Sequence, residues 1–507
     1  MCGITGTYGG NTKLIKNACE AIKHRGPDDS GYFINDQLNI ALGHQRLSIL
    51  ELSSLGHQPM ISQNNNVVIV FNGEIYNFIE IKLELEQDGF VFKSHSDTEV
   101  LLSLYLKYGK EMLPKLNGIF AFAILDINAE TLFVARDALG VKPLYYSEEG
   151  EKFYFASEIK GLFEFNSLKK DLNQETIYRY LAFLWCPGNG TPVKSIKKLL
   201  PGEALIVKNG QIKDKWKWFQ LPIFRGVIPN LNKMDAIEGT SKHLRQAVHK
   251  QMISDVPLGA FLSGGLDSSS IVAFAKELNP DIRCFTIETK GKQDSGFIND
   301  VPFAKTAAKH LNVSLEVVSV DSRKIAEDIQ SMVIQLDEPL ADLASLNVRY
   351  ISQLARDQGI KVLLSGAGGD DIFTGYRRHR AIQLENYWNW LPTNILRLLE
   401  NSSAYLNKNF SINRRISKFF SGASLNNHDR LINYFRWTSD NTIRSLCKPE
   451  FQEFITNSSI NFPISDFIPA ISPNISRLDQ MLSIEQRFFL ADHNLNYTDK
   501  MSMSSGL

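Results

Sequence analysis

The sequence has no run near the roughly 18 consecutive apolar residues of a membrane span. Its first twenty residues show no basic start followed by an apolar stretch, so nothing there reads as a leader. It also lacks net charge: 55 Lys and Arg stand against 55 Asp and Glu. That balance removes the electrostatic footing for nucleic acid or a membrane surface and leaves small molecules as the expected ligands. Cysteine is scarce. The five present (Cys2, Cys19, Cys186, Cys284, Cys447) are far apart and lack C-x-x-C or Cys/His metal spacing. A soluble protein in a reducing, cytoplasmic setting is expected. No internal repeat or low-complexity tract occurs, and the 507 residues exceed the usual size of one domain, so two cores are expected.

From the start to about Leu205, short β-like runs dominate, among them Val67 to Phe71, Gly118 to Leu125, Leu132 to Ala135 and Lys152 to Ala156. Gly, Asn and Asp turns separate them, the pattern of a layered α+β domain rich in antiparallel strands. From Gly210 to Asn232 the chain turns polar and tryptophan-containing, with Pro222 and Pro229, and reads as a connection. The expected division is 2–205, a linker over 206–235, and 236–507. In the last part helix and strand alternate. The runs Val256 to Leu262, Ile282 to Ile287, Leu315 to Val320 and Lys361 to Leu364 read as strands, with helical segments at Phe303 to Leu311 and Asn347 to Asp357. This predicts a doubly wound parallel sheet with its ligand at the carboxyl ends of the strands. From Arg380 onward the pattern is mostly helical.

The chain opens Met1-Cys2-Gly3-Ile4. With Met1 removed, Cys2 carries a thiol and an α-amine of ordinary pKa near 8, and the amine can serve as the thiol's general base. Position 2 equally suits a small buried residue. Polar clusters follow: His24-Arg25-Gly26-Pro27-Asp28, Arg46-Leu47-Ser48, Asn72-Gly73-Glu74-Ile75-Tyr76-Asn77 and Ser96-Asp97-Thr98-Glu99. Taken singly, each suits an ordinary turn. Together with Arg136-Asp137, Gly140 to Tyr146 and Ala156 to Lys160, they make the first domain resemble the class II glutamine amidotransferases, which implies an N-terminal nucleophile hydrolase-type sandwich. The resemblance assigns Cys2 as nucleophile, Arg46 to the glutamine carboxylate, Glu74 and Asp97 to its ammonium, and Asn72 with the Gly73 amide to the oxyanion.

A second constellation is Phe261-Leu262-Ser263-Gly264-Gly265-Leu266-Asp267-Ser268-Ser269-Ser270, between a strand and a helix. Two glycines permit close backbone approach, and successive amides, the helix N-terminus and the hydroxyls of Ser263, Ser268 and Ser269 suit phosphate. Asp267 is a candidate for Mg²⁺. The segment lacks the lysine of a Walker A loop and does not fit G-x-G-x-x-G. Farther on, Asp337-Glu338-Pro339 and Asp342 precede a second Gly-rich turn, Ser365-Gly366-Ala367-Gly368-Gly369-Asp370-Asp371, where Asp370 is the second metal candidate. Lys500, in Asp499-Lys500-Met501, is a candidate for stabilising charge on an adenylate.

In this order the motifs make the whole chain similar to glutamine-hydrolysing asparagine synthetases. The resemblance implies ATP as substrate, Leu262, Ile287, Ser365 and Gly366 around the adenine, a β-aspartyl-adenylate, ammonia passed internally, and often a homodimer. It strains at two places. Family members carry an acidic residue where this chain has Ala367, so the acceptor is aspartate or another carboxylate, for example a uronic acid of surface polysaccharide assembly. In the family a further helical portion follows the position of Leu507, so the sequence reads as partial.

Overall fold

The computed structural model describes residues 2–166, 168–225, 231–290, 299–407, 409–472 and 474–507. Met1 and Pro229, which figure in the sequence reading, lie outside the described residues.

The first half is two stacked antiparallel sheets of six strands each. The run Val67–Ile75 explains the stacking. Val67, Ile69, Phe71 and Ile75 face the helices Phe78–Gln87 and Asp97–Tyr108, packing with Leu85, Val100 and Leu104. Val68 and Val70 face the other sheet, packing with Ile4, Leu42 and Phe155. A strand buried on both faces must be apolar throughout, which is why it reads as an unbroken run rather than an alternation. On the outer side of the other sheet, the helix Ile15–Ala21 covers Ala41 and Tyr154. The result is four layers, helix, sheet, sheet, helix. The strand Gly3–Tyr8 lies inside its sheet between Ile40–Arg46 and Lys152–Ala156, and this fixes Cys2 at the strand mouth.

The expected boundary at 205 and the linker over 206–235 need correction. Glu203–Lys208 pairs with Thr131–Arg136, and Gln211–Lys217 pairs with Glu203–Lys208, so the second sheet continues to Lys217. The hairpin turns at Asn209 and Gly210, both with positive φ (51° and 71°), the conformation that an Asn-Gly turn between twisted strands requires. The tryptophans cover the sheet: Trp216 stacks on Phe133 and Trp218 on Phe120. The helix Lys233–Gln251 then starts inside the expected linker, capped by Asn232, which accepts from the Asp235 amide.

The second half contains a parallel sheet in the order Ser314–Asp321, Arg283–Lys290, Leu258–Phe261, Val362–Leu364. Three strands succeed one another in one direction and the last is added on the far side of the first. The switch point therefore falls between Leu258–Phe261 and Val362–Leu364, where such sheets open a crevice beyond their carboxyl ends. From Gly369 onward the described elements are helical, among them a ten-residue π-helix, Glu485–Asn494.

Candidate functional site

Cys2 is buried and lines a pocket of about 380 Å³ counting its open mouth, which is lined also by Arg46, Gly73, Glu74, Ser96 and Asp97. The Cys2 amide nitrogen donates to Asn72 Oδ1 at 2.9 Å. Asn72 is fully buried, yet its Nδ2 has no partner among the described residues, leaving one donor beside Cys2 for a ligand oxygen. Gly73 sits opposite Phe120 across the sheet, and a Cβ there would collide with the Ile119 carbonyl. Arg46 is held by the carbonyls of Ser53 (3.1 Å), Leu50 (3.3 Å) and Glu51.

Burial, with the Asp97 charge adding to it, pushes the Glu74 carboxyl up to about 8. Burial also pushes Asp97 up to about 6, although the Ile75 and Thr98 amides work against it. Two carboxyls whose ionisation is suppressed at the wall of one pocket are suited to a cationic ligand. The structure thus brings together all six residues expected around glutamine. The sequence reading missed Gln58, whose Oε1 accepts from the Phe71 amide at 2.7 Å, and Thr98, which Gln58 Nε2 reaches at 3.3 Å. Gln58 stands in no motif that would mark it, whereas Thr98 lies inside the cluster Ser96-Asp97-Thr98-Glu99 without having been given a role.

The two Gly-rich turns meet at the crevice of the parallel sheet. Gly264 has φ +80°, and a Cβ there would strike the backbone of Phe303. A Cβ on Gly369 would strike the Asp267 carboxylate, so the second turn closes directly on the first. Ser263 Oγ and Ser268 Oγ lie 3.0 Å apart, and the Ser263 amide donates to Ser268 Oγ at 3.2 Å. Leu262 is buried beneath the turn with Val272 and Cys284, and Ile287 is half-buried on the neighbouring strand. Ser365 Oγ accepts from the Ala367 amide at 3.1 Å.

Burial and the nearby Asp370 raise the Asp267 carboxyl, and burial raises Asp370. No group of three or more metal-ligating side chains occurs among the described residues. Two adjacent carboxylates fit a hard cation whose other ligands are phosphate oxygens and water.

Lys500 makes its contacts with other segments. Its ammonium is fully buried, donates to the Leu336 carbonyl at 2.5 Å, lies 3.9 Å from Asp337 and sits over the Tyr145 ring. No hydrogen bond or ion pair joins it to either Gly-rich turn among the described residues. It belongs to a buried layer of charges between the two halves. Arg25 contacts Glu158 and Asp499, both at 2.8 Å, Lys142 contacts Asp499 at 2.9 Å, and Lys198 contacts Glu338 at 3.2 Å. Arg25 Nε also donates to the Cys2 carbonyl at 3.0 Å. The layer therefore begins at the nucleophile and ends beside Lys500.

Comparison with known proteins agrees with this two-part geometry. Residues 1–219 match the glutamine amidotransferase domain and residues 239–507 the asparagine synthase family. "Asparagine synthetase [glutamine-hydrolyzing] 1" of Bacillus subtilis is 34% identical over 415 residues, 80% of this chain and 64% of that one. This chain thus spans under two thirds of that relative's length. A Methanocaldococcus jannaschii relative is 36% identical over 405 residues, 75% of this chain and 76% of its own. "Amidase chyE" of Penicillium rubens is 32% identical over 388 residues, 72% of this chain and 55% of its own.

Proposed function

This chain belongs to the asparagine synthase family, with a glutamine amidotransferase domain ahead of the synthase domain, and on that premise we propose that it uses ATP and glutamine to amidate a carboxylate. The observation that carries the reading is the pocket at Cys2, where Asn72 spends its Oδ1 on the Cys2 nitrogen and keeps its buried Nδ2 free. In this reading Cys2 attacks the glutamine side-chain amide. Its own amine takes the thiol proton and returns it to the departing ammonia. Asn72 Nδ2 and the Gly73 amide hold the oxyanion, Arg46 the α-carboxylate, and Glu74 with Asp97 the α-ammonium.

At the second site the Ser263–Ser268 turn cradles pyrophosphate at the start of the helix Leu266–Leu278. Asp267 and Asp370 are the residues that would hold Mg²⁺, whose chemistry there is to neutralise phosphate charge. A carboxylate is a poor electrophile, so transfer of AMP to it precedes attack by ammonia. The buried layer from Arg25 to Lys500 is the proposed course along which ammonia stays out of water, where it would be protonated. Lys500, already desolvated, is proposed to oppose the negative charge that develops at the far end.

Aspartate is the leading acceptor. A second reading, another carboxylate such as a uronic acid, is favoured by Ala367, which offers no side-chain acceptor to an ammonium. A buried acid four residues farther on is Asp371. Its Oδ2 is taken by Tyr376 (3.2 Å) and Asn494 (3.1 Å) while its Oδ1 has no partner among the described residues. AMP release measured with aspartate and with glucuronate separates the two. Release with aspartate supports the leading reading, and release with glucuronate alone supports the second.

A further inference from the structure

A second cavity, about 740 Å³ counting its open mouth, lies between the two halves of the molecule, and none of the residues assigned above lines it. Leu139, Phe219 and Leu221 form its wall on one side, with Phe467 and Ala470 on the other. Its charged lining residues are Lys217 and Arg487, and no carboxylate joins them among the described residues.

Arg487 is anomalous. Its Nη1 is buried and has no hydrogen-bond partner among the described residues, and its guanidinium carbon lies 5.1 Å from the centre of the Phe488 ring. A buried guanidinium nitrogen without a hydrogen-bond partner is costly, and such groups are normally satisfied. The acids whose charge reaches Arg487 are Asp492 and Glu203; neither forms an ion pair or hydrogen bond with it among the described residues, each already faces a lysine, and Asp492 keeps one oxygen, Oδ1, without a hydrogen bond. Asp492 accepts from the Gly188 amide at 2.7 Å and pairs with Lys198 at 3.3 Å, while Glu203 accepts from the Leu200 amide at 3.0 Å and pairs with Lys215 at 3.0 Å. Arg136, the other guanidinium close by, is committed to the carbonyls of Lys142, Leu199 and Gly140. The cavity therefore has a half-buried guanidinium with one nitrogen unsatisfied among the described residues, a second cation on the exposed strand end at Lys217, and apolar walls.

We propose that this cavity binds a small organic anion, a carboxylate or phosphate monoester on an apolar body. Arg487 receives the anionic group and Phe219, Leu221 and Phe467 cover the rest, the mixture of apolar wall and few polar anchors usual in ligand sites. Both walls lead to the chemical sites. The Leu139 amide donates to Asp137 Oδ1 at 3.1 Å, and Asp137 also accepts from the Phe120 amide at 3.2 Å, opposite Gly73. Gln486, beside Arg487, donates to the Asp371 carbonyl at 3.3 Å. An anion bound here bridges the segments that support the two reactions, which is the position of an effector.

The test is calorimetric titration of the full chain with phenyl phosphate and with inorganic phosphate, each in the presence of a saturating non-hydrolysable ATP analogue. Phenyl phosphate should bind one per chain, at least tenfold tighter than inorganic phosphate. Arg487→Met should weaken it tenfold or more. Lys217→Glu, which sets a carboxylate beside Arg487 from an exposed position, should do the same without lowering the melting temperature, and it decides alone if Arg487→Met does not fold. Undiminished binding to Lys217→Glu, loss of binding once the ATP analogue is present, or no binding at all overturns the proposal.

Discussion

Arg25 Nη2 and Asp499 Oδ2 stand 2.8 Å apart across 474 residues of chain, both buried. Burial alone would lower the guanidinium's pKa and raise the carboxyl's. The attraction of Asp499 and Glu158 outweighs it for Arg25, and that of Arg25 and Lys142 outweighs it for Asp499, so both remain charged. Because Arg25 also holds the Cys2 carbonyl, this ion pair ties the backbone of the nucleophile to the helix that carries Lys500.

Arg25→Met takes one cation from each of two buried carboxylates, Asp499 keeping Lys142 and Glu158 keeping Lys160, and should cost at most about 3–5 kcal/mol of stability, the scale of leaving a buried charge uncompensated. Adding Asp499→Asn should cost less than the sum of the single changes. In whatever fraction stays folded, glutamine-driven synthesis should fall further than ammonia-driven synthesis. Denaturant unfolding and paired assays with the two nitrogen donors check this. An equal fall in both would mean that the pair only stabilises the fold.

Asn72→Ala removes both the acceptor for the Cys2 nitrogen and the free Nδ2. Glutaminase kcat should drop on the order of 10²–10³-fold, as when one oxyanion donor is removed. Ammonia-driven amide formation should persist. Steady-state glutamate release reads the effect, and a change confined to KM would argue against an oxyanion role.

Glu74 carries a stability signature. Its carboxyl ordinarily titrates near 4.5 and in the fold near 8, so between these values the folded state holds a proton that the unfolded chain has lost. Stability must then fall as pH rises through that window. Glu74→Gln removes this dependence. Its melting temperature relative to wild type should rise from pH 5 to pH 8 and level off above. A difference that is flat or declines with pH would contradict the assignment.

The two sites should fail separately. Asp267→Asn should depress acceptor-dependent AMP release by roughly 10²-fold or more while glutamine hydrolysis continues, because one preorganised charge facing pyrophosphate is lost. Cys2→Ala should do the reverse, abolishing glutamate release and sparing synthesis from ammonia. Loss of glutaminase in Asp267→Asn with AMP release intact would invert the metal assignment.

Much of this was legible in the sequence because it was local. The apolar run at Val67, the two Gly-rich turns and the strand-helix alternation each carry their signal within a dozen residues, and the structure sets them where that signal put them. Gln211–Lys217 was misread because an edge strand rich in lysine looks like solvated loop, although Asn209-Gly210 is the usual mark of a hairpin. Lys500 was expected to stabilise charge on an adenylate, and the sequence offered for it only the stretch Asp499-Lys500-Met501. Its packing against Leu336 and Tyr145 comes from contacts 164 residues away and more, as with Leu336, which no local pattern encodes. Arg25 with Asp499 and the π-turned Glu485–Asn494 escaped for the same reason.

In the proposed mechanism, nitrogen released at Cys2 reaches an activated carboxylate without entering solvent. With glutamine labelled with ¹⁵N in its amide, ATP, the acceptor that elicits AMP release, and excess unlabelled ammonium, the product amide should carry ¹⁵N far above the label fraction of free ammonium. An amide whose label matches that of the bulk ammonium would contradict internal delivery between the two sites.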